Sequence, residues 1–162
     1  MEILRIAEET APEIAALAAA FRVALRSYKG IASEMDARAA EEEIRDFIQA
    51  GYPVFAARDG ENYLGYVVCR IEDTILWVEQ LYVAEAFRRR GIASMLFGKA
   101  EEIARSLGEE TVFNYVHPNN DGMIAFLRAK GYTVLNLIEI RKPYRDERLT
   151  ATIQVNHHTF DY

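Results

Sequence analysis

A single cysteine, Cys69, stands in this chain of 162 residues, so no disulfide can close within it. It sits inside an apolar strand pattern and reads as a small buried hydrophobe. Lack of disulfides fits a reducing compartment, and the cytoplasm is the expected location. Histidine is scarce too, with three in all, and its spacing relative to Cys69 makes no metal-ligand pattern; the adjacent His157 and His158 supply two donors at most, and no metal is expected. No apolar run approaches the ~18 residues of a membrane span. The opening MEILRIAEE lacks the pattern of a signal peptide, so no membrane partner is expected. Basic residues are outnumbered, 19 Lys and Arg against 25 Asp and Glu, and a net charge of −6 argues against general nucleic-acid binding. Two phosphate motifs are missing. No GxxxxGK[ST] occurs, since Gly91 and Gly98 are wrongly spaced and no hydroxyl follows Lys99, and no GxGxxG follows a strand.

What is present is a chain of one domain's length, 51% apolar, long enough to bury a core. Residues 2–7 alternate as a first strand. Thr10 to Glu13 reads as a capping box with Pro12 in the first helical turn. Ile14, Leu17, Ala18, Phe21 and Leu25 then share a helical face. Residues 27–35 form a loop, and a second helix runs over about 36–50, ended by Gly51 and Pro53. A β-meander follows at 53–58, 63–72 and 75–83. A helix spans about 91–107, with Gly108 as its C-cap. A strand covers 111–117, a helix capped by Asn119 or Asn120 runs to Lys130, and a further strand covers 132–141. TATIQV at 150–155 offers a last strand in a polar tail. No repeat or linker divides the chain, so residues 1–162 are expected as a single domain with 143–162 as a C-terminal strand or tail.

The most pointed feature lies at 75–98, ILWVEQLYVAEAFRRRGIASMLFG. An apolar strand enters a turn with three arginines, then a glycine, small residues and a helix. Amides at a helix start lack intrahelical acceptors, and the helix dipole favours an anion there. Arg88, Arg89 and Arg90 add groups suited to phosphate oxygens. Gly91 and Ala93 let a ligand approach the backbone closely. A local basic turn on an acidic protein suggests a phosphate-bearing ligand, against the plainer reading of a solvated arginine run.

With these residues in place, the chain resembles the GNAT N-acetyltransferase superfamily. LYV at 81–83 ends the fourth strand, and RRRGIA at 88–93 fits the family's [Q/R]-x-x-G-x-[G/A] acyl-CoA turn. Asn120 stands where the family has an asparagine early in the next-to-last helix, and FLRAKGY at 126–132 fits that helix's end and the next strand. The resemblance implies an α/β (α+β) fold with a mixed, mostly antiparallel sheet of six to seven strands and about four helices. It implies acetyl-CoA as donor and co-substrate, and a primary amine as acceptor. Pyrophosphate would sit over the amides of Arg89 to Ser94, including Gly91, Ile92 and Ala93. Pantetheine would pair with backbone along Leu81, Tyr82 and Val83. Val83 N–H is then the candidate donor to the thioester oxyanion.

Direct attack by an amine needs no nucleophilic side chain, but it needs a base to take a proton from the ammonium group. Glu79 is the first candidate, since period two puts it on the face of Leu81 and Val83; the family often places its carboxylate where Trp77 stands here. An ordinary solvent-facing glutamate is the competing reading. His117, ending the 111–117 strand, is the second candidate, against a role as a turn residue before Pro118. Many members carry a tyrosine that protonates the CoA thiolate, and Leu127 occupies that position here. Tyr115, Tyr132 or water could substitute, or the chain could be a non-catalytic acyl-CoA-binding or sensing module. The acceptor should enter near the 27–35 loop and the tail, with Tyr28, Glu34, Asp36, Asp146, Glu147 and Asp161 available to a cation. Relatives pair through sheet edges or C-terminal strands, so 150–155 is the expected interface of a homodimer.

Overall fold

The apolar runs in the middle of the sequence become consecutive antiparallel strands in the computed structural model, which describes residues 1–162. The chain forms two compact units, residues 1–126 and 127–162. The first carries a five-stranded sheet in chain order: β1 (Glu2–Arg5), β2 (Val54–Asp59), β3 (Asn62–Glu72), β4 (Ile75–Val83) and β5 (Phe113–Asn114). All pairs are antiparallel except β4 with β5. Four α-helices accompany the strands: α1 (Ala15–Ser27), α2 (Ala37–Gln49), α3 (Ile92–Ser106) and α4 (Asp121–Ala129). This is the mixed, mainly antiparallel α/β architecture expected from the sequence.

The helices take the places their patterns assign. α2 starts at Asp36, whose Oδ1 accepts from Ala39 N–H at 2.9 Å. Ala40 and Ile44 of α2 and Ala18 and Ala19 of α1 are buried with Val54, Ala56, Tyr66 and Val68 on one face of the sheet. α3 packs on β2, β3 and β4, burying Leu96, Phe97 and Ala100. The small side chains of α1 let it approach the sheet closely, while Phe21 meets the Tyr66 and Tyr82 rings edge-on at 6.5 and 6.4 Å.

Three local readings change. The first helix begins as a 3-10 segment, Glu8–Ile14, and Thr10 is not its cap: its hydroxyl accepts from Ala7 N–H at 3.0 Å and donates to Ala7 O at 3.1 Å, so it closes the first turn from inside. The 111–117 strand shortens to two residues, since β4 offers pairing only at Trp77 and Val78. In the second unit, 133–140 make no backbone hydrogen bond, although the apolar pattern predicts a strand there. Alternation favours extended backbone, but a strand also needs a neighbour, and the unit supplies none. The last strand does form. β6 (Thr152–Val155) pairs with β7 (His158–Asp161) in a hairpin turned by Asn156 at φ +55°.

β3 and β4 are pressed together at Gly65, opposite Val83. A β-carbon there would lie 2.6 Å from Tyr82 O and 3.0 Å from Val83 Cγ2. The backbone, not a movable side chain, is the obstacle. Gly65→Ala should therefore lower stability by about 1–3 kcal/mol, the usual cost of overpacking. Urea unfolding of the variant measures it; an unchanged midpoint would show that the strands can part freely.

Candidate functional site

The site grows from a strand edge without a neighbour. Ala84 N–H donates to Leu64 O at 2.9 Å, which sets the phase of the β3–β4 ladder. In an antiparallel pair alternate residues bond the same neighbour, so Tyr82 bonds Tyr66 while Leu81 and Val83 turn their N–H and C=O groups to the other side. On that side β5 has already left, pairing only with Trp77 and Val78. An open stretch of main chain results at 81–83.

The arginine turn continues from this edge. Arg88 Nε donates to Val83 O at 3.0 Å, and its guanidinium lies 5.5 Å from the Tyr82 ring centroid. Arg89 and Gly91 both take positive φ, +63° and +81°, and Gly91 is the N-cap of α3. Met95 N–H makes the first intrahelical bond, to Gly91 O at 3.1 Å. The amides of Ile92, Ala93 and Ser94 are thus left pointing out of the helix start. Arg90 stacks over the Phe87 ring at 5.5 Å. Arg88, Arg89 and Arg90 all remain exposed. Of the residues expected to hold a phosphate, Arg88 instead ties the turn to the strand, while Arg89 and Arg90 stay exposed in the turn that leads into the amides of Ile92, Ala93 and Ser94.

Glu79 does not share a face with Leu81 and Val83. Val68 pairs with Gln80 and Cys69 with Val78, so Glu79 is the extra residue of a β-bulge. The bulge breaks period two. Glu79 Oε2 accepts from Arg70 Nε at 3.0 Å, and Arg70 belongs to the face of Tyr66 and Val68. Arg70 also pairs with Glu72 and lies 5.3 Å from the Trp77 ring centroid. Oε1 of Glu79 is the oxygen left for other work.

Tyr115 stacks on Trp77, with ring centroids 4.6 Å apart, and is 66% exposed. His117 stacks on Tyr28 at 6.0 Å, and its Nδ1 accepts from Asn119 N–H at 3.2 Å. Asn119 Nδ2 in turn donates to Tyr28 O at 2.9 Å, fastening the loop after α1 to this turn. Desolvation, helped by the nearby Lys29 charge, lowers the His117 pKa below its ordinary value. Asn120 Oδ1 accepts from Met123 N–H at 3.0 Å and so caps α4. Leu127 is buried, and its carbonyl accepts from Tyr132 N–H at 3.0 Å.

A cavity of about 730 Å³ opens beside α1 and the 32–37 segment, with Arg22, Arg26, Glu34 and Asp36 in its lining. The expected acidic entrance is therefore of mixed charge, and Asp36 is already engaged as a cap. Glu147 is engaged as well: it takes both Arg141 guanidinium nitrogens at 2.8 and 2.6 Å and the Tyr144 N–H at 3.0 Å, which holds its carboxyl down at about 2. Burial raises the Cys69 thiol to about 12, leaving it inert. No group of three or more His, Cys, Asp or Glu could hold a metal, and no helix is long and apolar enough to cross a membrane.

Sequence reasoning missed a buried polar pair. Tyr66 Oη donates to Gln80 Oε1 at 2.7 Å beneath α1. Burial, reinforced by Glu43, pushes the Tyr66 phenol well above its ordinary pKa. Glu43 Oε2 is itself buried with no hydrogen-bond partner. The one available signal was Gln80, a neutral polar residue inside the apolar run 75–83.

The profile of the acetyltransferase (GNAT) family matches residues 17–132. Among solved structures, an aminoglycoside 6'-N-acetyltransferase of Acinetobacter haemolyticus is similar at 17% identity and TM-score 0.65, covering 90% of this chain and 100% of its own. The PaiA N-acetyltransferase of Thermoplasma acidophilum, in complex with coenzyme A, is similar at 20% identity and TM-score 0.66, over 80% and 87% of the two chains. AAC(6')-Iy, in complex with a bisubstrate analog of CoA and acetylneamine, is similar at 18% identity and TM-score 0.62, over 88% and 98%. At these identities the likeness is one of fold. No curated protein sequence matches the chain.

The His117 environment makes a direct prediction. Its imidazole should titrate below the ordinary value of 6.5, observable as the midpoint of its ring-proton shifts in NMR. A lowered folded pKa means that the unfolded chain binds the proton more readily. The associated stability is fully present above the ordinary value and is lost as pH falls through it and then through the lowered one. A midpoint above 6.5 would contradict the desolvated setting.

Proposed function

Because the chain belongs to the acetyltransferase (GNAT) family, we propose that it transfers an acetyl group from acetyl-CoA directly to a primary amine. One observation carries this reading: an open strand edge at 81–83 leads within a few residues to the unpaired amides of Ile92, Ala93 and Ser94. Pantetheine would add to the edge through main-chain hydrogen bonds, as a peptide adds to a sheet. Pyrophosphate would lie over the helix start, with Arg89 and Arg90 alongside. The coenzyme A and bisubstrate complexes of the fold neighbours support a ligand of this class.

In the reaction, the amine nitrogen attacks the thioester carbonyl carbon and the carbonyl oxygen gains negative charge. Val83 N–H faces the open edge and is the proposed donor to that oxygen. Collapse breaks the C–S bond, forms the amide and releases CoA as a thiolate. The amine must arrive neutral, so a base acts before or during attack. Glu79 fits this role through Oε1 and a bridging water, with Arg70 holding Oε2 and setting the carboxylate's direction. His117 is the weaker candidate, because Nδ1, the basic nitrogen of its neutral ring, already accepts the Asn119 amide. Tyr115 is proposed as proton donor to the thiolate, with water as the other source.

The mixed charge of the cavity beside α1 suits an acceptor that carries both an ammonium group and hydroxyl or carbonyl functions. A second reading, a module that holds acyl-CoA without turnover, is favoured by Leu127 alone, where a side chain able to donate a proton would otherwise stand.

Two measurements test the proposal. Purified chain with acetyl-CoA and a panel of amines should release free thiol in an amine-dependent manner, and Glu79→Gln should slow release by about 10²–10⁴-fold, the usual range for a lost general base. Tight acetyl-CoA binding with no release for any amine would favour the binding module instead. Arg89→Ala with Arg90→Ala should weaken acetyl-CoA by about tenfold to a hundredfold, as expected for lost charge-assisted hydrogen bonds. Unchanged affinity in a folded variant would defeat the ligand site itself.

A further inference from the structure

Arg22, Arg45, Arg58 and Arg70 are the half-buried arginines of the chain. Arg45 pairs with Glu41 at 2.9 Å, Arg58 with Glu2 at 2.6 Å and Arg70 with Glu79 at 3.0 Å. Arg22 forms no ion pair and no side-chain hydrogen bond, and neither does Arg26, one turn further along α1. A guanidinium drawn partly out of water without an acceptor is a cost to the fold. The helix dipole accounts for Arg26, in the last turn of α1, but not for Arg22, which lies further in. Both arginines line the cavity beside α1, and so does Ser33, whose hydroxyl is buried without a hydrogen-bond partner. The lining thus holds donors that lack an acceptor. Its own carboxylates do not supply one. Asp36 Oδ1 is taken by the Ala39 amide, Glu34 is exposed, and neither forms an ion pair with an arginine.

We infer that Arg22 and Arg26 receive an oxyanion, a carboxylate or a phosphate, carried by the acceptor amine. The preferred acceptor is then an amine with a negatively charged end rather than a polycation. A guanidinium meets either oxyanion through paired N–H donors, and the Ser33 hydroxyl is a donor of the same use. The cavity, at about 730 Å³, has room for a small molecule. Its inner end approaches the sheet. Arg22 is near enough to Tyr66 for its charge to oppose the rise in the phenol's pKa, and Tyr66 bonds Gln80, which follows Glu79 on β4. An acceptor anchored by its oxyanion at Arg22 therefore lies on the side of β4 where the proposed base is held. Calling this ligand an acceptor rests on the proposed acetyl transfer; the oxyanion site rests on the cavity and its unpaired donors alone.

The probes are β-alanine, γ-aminobutyrate, phenylalanine and O-phosphoethanolamine. Each is set against its neutral counterpart: β-alaninamide, γ-aminobutyramide, phenylalaninamide and ethanolamine. At constant ionic strength, at least one acid should raise the thermal midpoint of the full chain, and no neutral counterpart should. Arg22→Gln and, separately, Arg26→Gln should weaken that binding by about tenfold to a hundredfold, the scale of a lost charge-assisted hydrogen bond. Without probe, neither variant should lose stability, since neither side chain has a partner to lose. The comparison of acid with neutral counterpart on the unaltered chain stands however the variants fold. With acetyl-CoA present, thiol release should favour the acids that bind over their counterparts. No response to any acid, an equal response to the neutral counterpart, or undiminished binding in both variants overturns the inference. Equal acetylation of acids and neutral amines also overturns it and leaves acetyl transfer standing. An acid that binds through Arg22 and is never acetylated keeps the oxyanion site and counts against acetyl transfer. The carboxylate and phosphate probes, compared with each other, identify which oxyanion the arginines take.

Discussion

The parting of β5 from β4 after two residue pairs is the constraint on which the rest of the site depends. A backbone amide or carbonyl without a partner is a demand that solvent or a ligand must meet. The edge at Leu81 and the Val83 N–H keeps that demand open, while Arg88 meets the Val83 carbonyl and Tyr82 between them pairs with Tyr66 of β3. Gly65 lets β3 lie against Tyr82 and Val83 without obstruction, and α3 covers one face of the strands, so the open edge sits on a rigid frame. Rigidity matters here because a groove made of main-chain groups binds only if those groups are already aimed.

Much of this was legible in the residues. The limits of β4 match the apolar run at 75–83, and α3 begins one residue after Gly91, because a residue at φ +81° followed by good helix formers leaves little choice. Asp36 and Asn120 announce their helices as caps should. What could not be read was anything set by pairing rather than by pattern. The bulge that turns Glu79 toward Arg70 depends on the register of β3 against β4, and period two alone hides it. The shortness of β5 and the unpaired state of 133–140 have the same origin, since a strand's existence depends on a neighbour that its own sequence does not name. Glu147 was legible as a charge, but its partner Arg141 was not.

The buried polar group beneath α1 has a different character. Tyr66 and Gln80 satisfy each other at 2.7 Å, whereas a neighbouring oxygen of Glu43 is buried without a partner. A carboxylate oxygen in that state is a cost to folding. The mixed charges of Arg22, Arg26, Glu34 and Asp36 line a cavity beside α1 and the segment that joins it to α2.

The hydrogen bond from Arg88 to the Val83 carbonyl has a metrical consequence. A connection of seven residues between the strand end and Gly91 could stretch or fold by several ångströms if left loose. Pinned near its middle to its own starting point, it becomes a gauge of fixed length. On the proposed acetyl transfer, a ligand held at one end by the helix start and at the other by the strand would have to match that gauge, and its covalent span, rather than its head group alone, would decide which carbonyl rests beside the Val83 amide.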